Sequence, residues 1–563
     1  MVHALHRLCR PAARLVVAVG AVGAVGVIAC GAAAIHAATT PRFYADDPIA
    51  REPESQDASR AQPGDVGLMY DIAYNLFVTP RLESQNTPAK NVNTIDEVPD
   101  SGWFTNRILP RRLSEEDLVR GPHAGEKPNP ERWTIVREKS SGYSPGFTAK
   151  DANGETWFIS FDAPGYAEGA TAAIVVASKL FWALGYNQVE TYITMVDPRR
   201  LVIDPGATMR RPNGKRTPMR RSDVDAVLER AARGADGTYR AAAARLLPGK
   251  VLGPFRYEGT RPDDPNDLVD HQHRRELRAL RVIGAWTNLT DLKAGNTLDT
   301  LVTVDGRSIV RHYLQDVGST FGIGANGAHD WDEGFEYFYQ PDTSRRRLMS
   351  FGFALSPWQT AHYTEYPSIG RFESEAFDPL TWKPHAPTTA YMAMQPEDAF
   401  WAARRVAAFD NGLIRAIVHA GQFSDSAAEQ YLTAMLMQRR DKIARAYLAA
   451  VNPLVDPALS AGGELTFANA AGATGASAGP ARYVAQWSRF DNATGATSPI
   501  GESDSTRAAI KAPAPLPGDA GAFVQIDVRG DGGGHTEWQR PVRLHFRRAA
   551  DGWVLVGLDR GKL

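Results

Sequence analysis

The sequence predicts an α+β protein built as two lobes, one β-rich and small, one helical and large, followed by a small C-terminal β-rich module. Three observations carry this. Residues 133–196 read as strand, glycine-bearing turn, hairpin, helix and strand. Residues 396–449 hold three segments with apolar residues at helical spacing. Past residue 480 the pattern changes to short β-type runs separated by polar turns.

In the small lobe, Trp133–Val136 reads as a strand and Ser140–Gly146 as a turn. Phe147–Ala149 and Thr156–Phe161 flank a second turn at Asp151–Gly154. Ala170–Leu184 is apolar almost throughout, as a buried helix is, and Val189–Val196 is a further strand. Pro198–Arg221, rich in Pro, Arg and Gly, reads as a surface loop. Ser222–Arg233 and Thr238–Leu247 are Ala/Arg-rich and read as helices. His273–Trp286 has Leu277, Leu280 and Ile283 on one helical face. Thr297–Thr303 and Arg307–Gln315 flank Asp305-Gly306, a strong hairpin turn. The aromatics of Trp331–Trp382 are expected to pack the large lobe. Helices follow at Pro396–Phe409, Asn411–Ala420 and Ser424–Ala449, with Asp410 and Ser424-Asp425 offering N-caps for the last two. The module's strands are Arg482–Phe490, Phe523–Arg529, Val542–Arg548 and Trp553–Leu558. The expected division is 1–38 targeting segment, 39–130 tether and extension, 131–455 two-lobed body, 456–480 linker and 481–563 module.

With 563 residues and a formal net charge of −1, the chain has no basic excess that would suggest nucleic acid. Cys9 and Cys30 are its two cysteines, so the body has no disulfide framework and no cysteine-rich zinc site. His271 and His273 lack a third ligand and read as satisfied histidines. Arg7, Arg10 and Arg14 precede Leu15–Ala38, which is apolar and uncharged apart from His36. Val27-Ile28-Ala29-Cys30 looks like a bacterial lipobox with Cys30 as the lipidated residue. An uncleaved membrane helix and a signal cleaved near Ala37 are the alternatives. Each expects the body outside a bacterial cytoplasm, in the cell envelope, and the first two expect a membrane partner through the N-terminus.

One cluster carries chemistry. Asp291-Leu292-Lys293-Ala294-Gly295-Asn296 precedes the hairpin, and Asp316-Val317-Gly318 follows it. A hairpin returns the chain to its start, so Asp316 is expected beside Asn296. Phosphoryl transfer needs a carboxylate to orient the attacking hydroxyl, and an amide oxygen and a second carboxylate on the metal.

These motifs resemble the protein-kinase-like superfamily, in particular its atypical branches: phosphoinositide kinases, bacterial toxin kinases and secretory-pathway kinases. Asp-x4-Asn matches that family's catalytic loop, and Asp-Val-Gly stands where Asp-Phe-Gly stands. The resemblance spans Trp133 to Asn452 and implies a two-lobed kinase-like fold, ATP and Mg²⁺. It implies Asp291 as base and Asn296 and Asp316 as metal ligands. The small-lobe Lys–Glu pair of the family is missing, because its positions fall at Ser160 and near Ile174. Lys139 or Lys150 is expected to reach the phosphates instead, with Glu168 as acidic partner and Gly142 and Gly146 in the glycine turn. The functional expectation is a divergent envelope phosphotransferase of unknown acceptor; the alternative is a pseudokinase that acts as a binding or scaffold protein. A metal-assisted hydrolase has less behind it. There is no His-Glu-x-x-His, and the Gly475–Gly479 match to Gly-x-Ser-x-Gly lies in Gly/Ala-rich sequence.

Overall fold

The computed structural model describes residues 40–81, 86–139, 144–211 and 213–561. Cys30, the lipobox and Gly142 lie outside these. Two helices, α1 (Leu68–Phe77) and α2 (Glu115–Arg120), precede the first sheet. Three strands, β1 (Trp133–Glu138), β2 (Gly146–Lys150) and β3 (Thr156–Phe161), form an antiparallel meander, and α3 (Gly169–Leu184) follows. Alternate large residues, among them Trp133, Ile135, Phe147, Trp157, Ile159 and Phe161, fill one core against that face. The opposite face carries a cross-strand row of small residues, Gly146 beside Ser160.

The sheet grows to seven strands by adding β4 (Thr191–Val196), β5 (Leu201–Arg210), β6 (Arg216–Pro218) and β7 (Tyr239–Arg245), in the order β4-β7-β3-β2-β1-β5-β6. Two expectations are corrected here. The stretch read as a surface loop supplies β5, which pairs in parallel with β1, and β6. The stretch read as a second Ala-rich helix is the strand β7, bonded to β3 and β4 on its two edges. Alanine favours helix in isolation. Here its small side chains suit a central strand with Ala241, Ala242 and Ala243 all buried, and the pairing overrides the propensity. The first expected helix is present as α4 (Arg221–Leu228), whose Val224 and Leu228 complete the small-lobe core.

The large lobe contains β8 (Lys250–Gly253), α5 (Arg275–Thr287) and the hairpin β9 (Thr297–Val304) and β10 (Arg307–Leu314). A short hairpin of β11 (Ile323–Gly324) and β12 (Gly327–Ala328) comes next. The helices α6 (Pro341–Met349), α7 (Thr389–Met392), α8 (Pro396–Ala407), α9 (Asn411–His419) and α10 (Ser426–Tyr447) follow. Asp410 and Asp425 cap α9 and α10 as expected. The large core gathers α5, α8, α9 and α10, and it also takes Val176, Leu180, Phe181 and Leu184 of α3. That helix therefore joins the two lobes. The aromatics of 331–382 divide: Phe372, Phe377 and Trp382 are buried, whereas Trp331, Phe338, Phe351 and Phe353 are exposed.

Helix α5 departs from the amphipathic reading. Its polar residues other than Arg281 are buried along with its apolar ones. Arg275 Nε and Arg278 Nη1 each donate to Asp398 of α8 at 3.0 Å, and Arg275 also pairs with Asp96 at 2.6 Å. Two guanidinium groups and two carboxylates compensate one another, and this fixes the helix that leads into the candidate loop. His271 and His273 are buried and satisfied, His271 by Asp267 at 2.7 Å.

The last residues form a module of β13 (Leu454–Leu459), β14 (Glu464–Asn469), α11 (Ala470–Ala473), β15 (Arg482–Phe490), β16 (Thr497–Ser505), β17 (Ala509–Lys511), β18 (Phe523–Asp531), β19 (Val542–Ala549) and β20 (Gly552–Asp559). All four expected strands are there, within a five-stranded antiparallel sheet. The expected linker at 456–480 instead carries β14 and most of β13, paired with each other. The expected tether is not free either. Phe43 packs on Phe490 and Phe523 of the module, and Ala58 and Ala61 pack on Leu252 and Val310. Apolar residues in that polar stretch bury against surfaces supplied by distant sequence, which local composition does not reveal.

Replacing Asp398 with Ala leaves the buried Arg278 guanidinium without a carboxylate partner and Arg275 with Asp96 alone. The expected loss is about 3–5 kcal/mol in denaturant unfolding; a loss below ~1 kcal/mol would contradict the role given to this network.

Candidate active site

Helix α5 ends at Asn288, whose left-handed backbone (φ 55°) turns the chain out of the helix. The Asn288 side chain accepts from Trp382 Nε1 at 2.8 Å, which anchors the turn in the large-lobe core. The chain then runs through Leu289–Asn296 into β9. Register does the rest. Thr297 opposes Leu314, so the residues just beyond the hairpin are neighbours. The amides of Gln315 and Asp316 both donate to the Asn296 carbonyl, at 2.9 and 3.1 Å. Asn296 Nδ2 donates to the Asp291 carbonyl at 2.8 Å, which directs its Oδ1 away from that group. The loop and the Asp316 turn therefore form one unit.

Around Asp316 the chemistry is sparse. Its carboxylate is exposed, and Oδ1 accepts from Gly318 N at 3.1 Å. Lys139, just past β1, is close enough for Asp316 to act on its charge. Burial pulls the Lys139 ammonium below its usual range, and Asp316 opposes that pull. From α3, Ile174 lies against the turn: a methyl group on Gly318 would sit 3.5 Å from Ile174 Cβ. The helix position expected to carry a glutamate thus lies against the turn that carries Asp316, but with an aliphatic group. Ser160 lies opposite Gly146 in the row of small residues. At Gly146 a methyl group would fall 2.1 Å from the Ile159 carbonyl, so strand pairing alone demands glycine there. Glu168 points elsewhere. It precedes α3, and its carboxylate accepts the Ser424 amide at 2.8 Å, near the start of α10.

Around Asp291 the chemistry is dense. Lys293 Nζ contacts its Oδ2 at 2.7 Å, and His385 Nδ1 lies 3.9 Å from Oδ1. His385 Nε2 meets Glu333 at 2.6 Å, and Glu333 also accepts from Thr290 at 2.8 Å. His329 Nδ1 is 3.3 Å from the same Glu333 oxygen, and its Nε2 bonds Ser319 at 2.9 Å. Burial would push the Asp291 carboxyl up, but His385 and Lys293 outweigh it and hold it well below the usual carboxylate range. Glu333, under the same opposed influences, is held at about 2. Burial would lower the His385 imidazole; the two carboxylates outweigh it and raise it to about 9. His329, buried and beside only one carboxylate, falls to about 4. At neutral pH His385 is therefore a cation clamped between two carboxylates, and His329 is neutral.

The N-terminal extension closes one side of the loop. Asp71 of α1 lies 3.4 Å from the Ala294 amide, and a methyl on Gly295 would come within 2.9 Å of Leu68. Lys293 stood inside the quoted motif, and its short spacing from Asp291 was the available signal. Glu333, His329 and His385 lie in irregular sequence with no motif, and only the folded chain brings them to Asp291.

No protein-family model matches this sequence, and no curated protein matches it. Among solved structures, the Golgi casein kinase with Mn/ADP bound overlaps at a TM-score of 0.31 and 12% identity, covering 70% of this chain and 94% of that one. A second structure of the Golgi casein kinase overlaps at 0.30 and 10% identity, with the same coverage. Overlap this loose assigns no role to any residue, and the site is read from its own geometry.

His385 gives a pH signature. Its folded-state value lies above its ordinary 6.5, so the stability it contributes is complete below 6.5 and is lost as pH rises through about 9. His385→Gln should flatten the fall in thermal stability between these limits; an unchanged alkaline limb would show that the clamp is not formed.

Proposed function

We propose that the chain is a divergent phosphotransferase of the bacterial cell envelope that uses ATP with Mg²⁺. The observation that carries this reading is the union of Asn296, Asp316 and Asp291 through the Asn296 main chain and side chain. An amide oxygen and a carboxylate are hard donors of the kind Mg²⁺ takes, and Mg²⁺ commonly uses only one or two protein ligands besides phosphate and water. Among the described residues no cluster of three or more His, Cys, Asp or Glu is placed to hold a metal by itself. The donor set therefore fits a metal brought in with phosphates better than a resident ion. When bound, Mg²⁺ would neutralise charge on the transferring group.

The protein groups have separable tasks. Asn296 and Asp316 would hold the metal–nucleotide, and Lys139 would contact the phosphates. Asp291 orients the acceptor hydroxyl and takes its proton. A carboxylate held so acidic is a weak base, so its main effect is alignment, with proton uptake late in a loose transition state. Lys293 and His385 keep it ionised and fixed. Location in the envelope rests on the N-terminal sequence pattern, with Cys30 or the apolar run as membrane attachment.

A second reading keeps the fold and removes turnover. Small and aliphatic groups at Ser160 and Ile174 leave no Lys–Glu pair on the sheet and α3, which favours a pseudokinase that binds a partner protein.

Purified protein should bind ATP only with Mg²⁺ and release ADP when acceptor is present or water intrudes. Asp316→Ala should abolish both. Asp291→Asn should retain nucleotide binding and lower turnover by about 10²-fold or more. Lys139→Met should weaken binding by about tenfold. Metal-dependent binding without ADP release would favour the pseudokinase; binding and turnover unaffected by Asp316→Ala would exclude both assignments of this residue.

A further inference from the structure

The surface next to this site is not an ordinary protein surface. Phe338 is exposed, yet it stacks on His385 (centroids 4.1 Å apart, planes 17°), the imidazole that holds Asp291. The neighbouring Tyr339 meets Phe77 of α1 at 4.9 Å, and α1 also exposes Met69 and Tyr70. Beyond them, the last turn of α6 and the loop after it carry bare apolar side chains: Leu348 78%, Met349 75%, Phe351 91% and Phe353 88% exposed. Single exposed apolar residues are common, but a consecutive group marks a contact surface. Phe351 keeps a left-handed backbone (φ 52°), which bulky residues rarely adopt. Such strain persists where a function holds it.

The charges select the partner. Residues 341–355 contain three arginines against one acid, Asp342. Arg347 is engaged by Glu336 and lies over Trp358; Arg345, in a surface pair with Asp342 at 3.2 Å, and Arg346, which donates to the Leu355 carbonyl at 3.3 Å, are both exposed. Apolar tips that protrude, with guanidinium groups one turn behind them, match a lipid interface: tips enter the acyl boundary and arginines meet phosphate headgroups. A groove-binding protein partner would instead find a concave site. The sequence also carries the uncharged apolar run Leu15–Ala38, long enough for a membrane attachment that would hold this loop near lipid at high effective concentration.

We infer that α6 and the 348–355 loop, continued by Phe338, Tyr339 and α1, form a docking surface for an anionic lipid bilayer, distinct from any N-terminal anchor. Docking does not depend on phosphotransfer. If the phosphotransfer reading also holds, the surface turns the Asp291 loop towards the bilayer, and its acceptors are membrane-borne hydroxyl compounds.

The test uses the full chain with Cys9→Ser and Cys30→Ser, so that a single introduced cysteine carries an environment-sensitive dye. Label is placed at Phe353→Cys, or at Leu348→Cys should the first variant lose its thermal unfolding transition. Ser498→Cys on the exposed strand β16 is the control. Each protein is reconstituted into phosphatidylcholine vesicles with or without phosphatidylglycerol. The expected result is blue-shifted emission, quenched by nitroxide-bearing lipid, for the loop label on phosphatidylglycerol vesicles, with the β16 label remaining aqueous. Adding Arg345→Glu and Arg346→Glu should lower the inserted-to-free ratio by at least about tenfold. The inference is overturned if the loop label stays aqueous on both compositions, which would direct the surface to a protein partner. It is also overturned if insertion is equal without phosphatidylglycerol, or if the β16 label moves as much. None of these readouts involves nucleotide, so they stand apart from the fate of the phosphotransfer reading.

Discussion

The pairing of Thr297 with Leu314 is the constraint on which the candidate site depends. Side chains alternate along a strand, so a slip of one residue would turn the hairpin inside out and move Asp316 away from the Asn296 carbonyl. The register is set by the Asp305-Gly306 turn, whose two residues both take positive φ as such a hairpin requires. It is reinforced by burial of Ile309, Val310, Tyr313 and Leu314. The geometry of the candidate site thus rests on ordinary strand physics some distance from it.

Around that hairpin the protein invests in buried charge. Arg275 and Arg278 hold α5 to α8 through Asp398, and α5 delivers Asn288 and the loop behind it. His385 joins Glu333 to Asp291 in the same manner on the other side. A buried pair adds little net stability over apolar packing, but losing one partner is costly, so such pairs fix position more than they stabilise. Position is what alignment-driven chemistry needs.

Local signals in the sequence carried the fold's framework and the centre of the site. The Asp-Gly turn, the helix caps at Asp410 and Asp425, and the alternation in β1 to β3 act over a few residues, and their readings match the structure. Elements whose state is decided by distant partners differ from what their local sequence implies. The alanines of β7 have helical propensity but sit between two strands, and residues 40–64 are polar yet are held by Phe43, Ala58 and Ala61 against remote surfaces. The site divides in the same way. Asp291, Asn296 and Asp316 stand in motifs, so their proximity could be anticipated from hairpin return. Lys139 near Asp316, and His385 between two carboxylates, arise from tertiary packing that no spacing encodes. Glu168 shows the converse: a plausible type at a plausible spacing, engaged instead by the Ser424 amide.

Under the proposed function Asn296 and Asp316 share one divalent cation carried by a nucleotide. Anomalous diffraction from crystals grown with Mn²⁺ and a non-hydrolysable ATP analogue tests this sharing. The expected result is a manganese peak within coordination distance of Asn296 Oδ1 and the Asp316 carboxylate, with the phosphates towards Lys139. A metal–nucleotide bound elsewhere on the chain, with these two side chains unengaged, would contradict it.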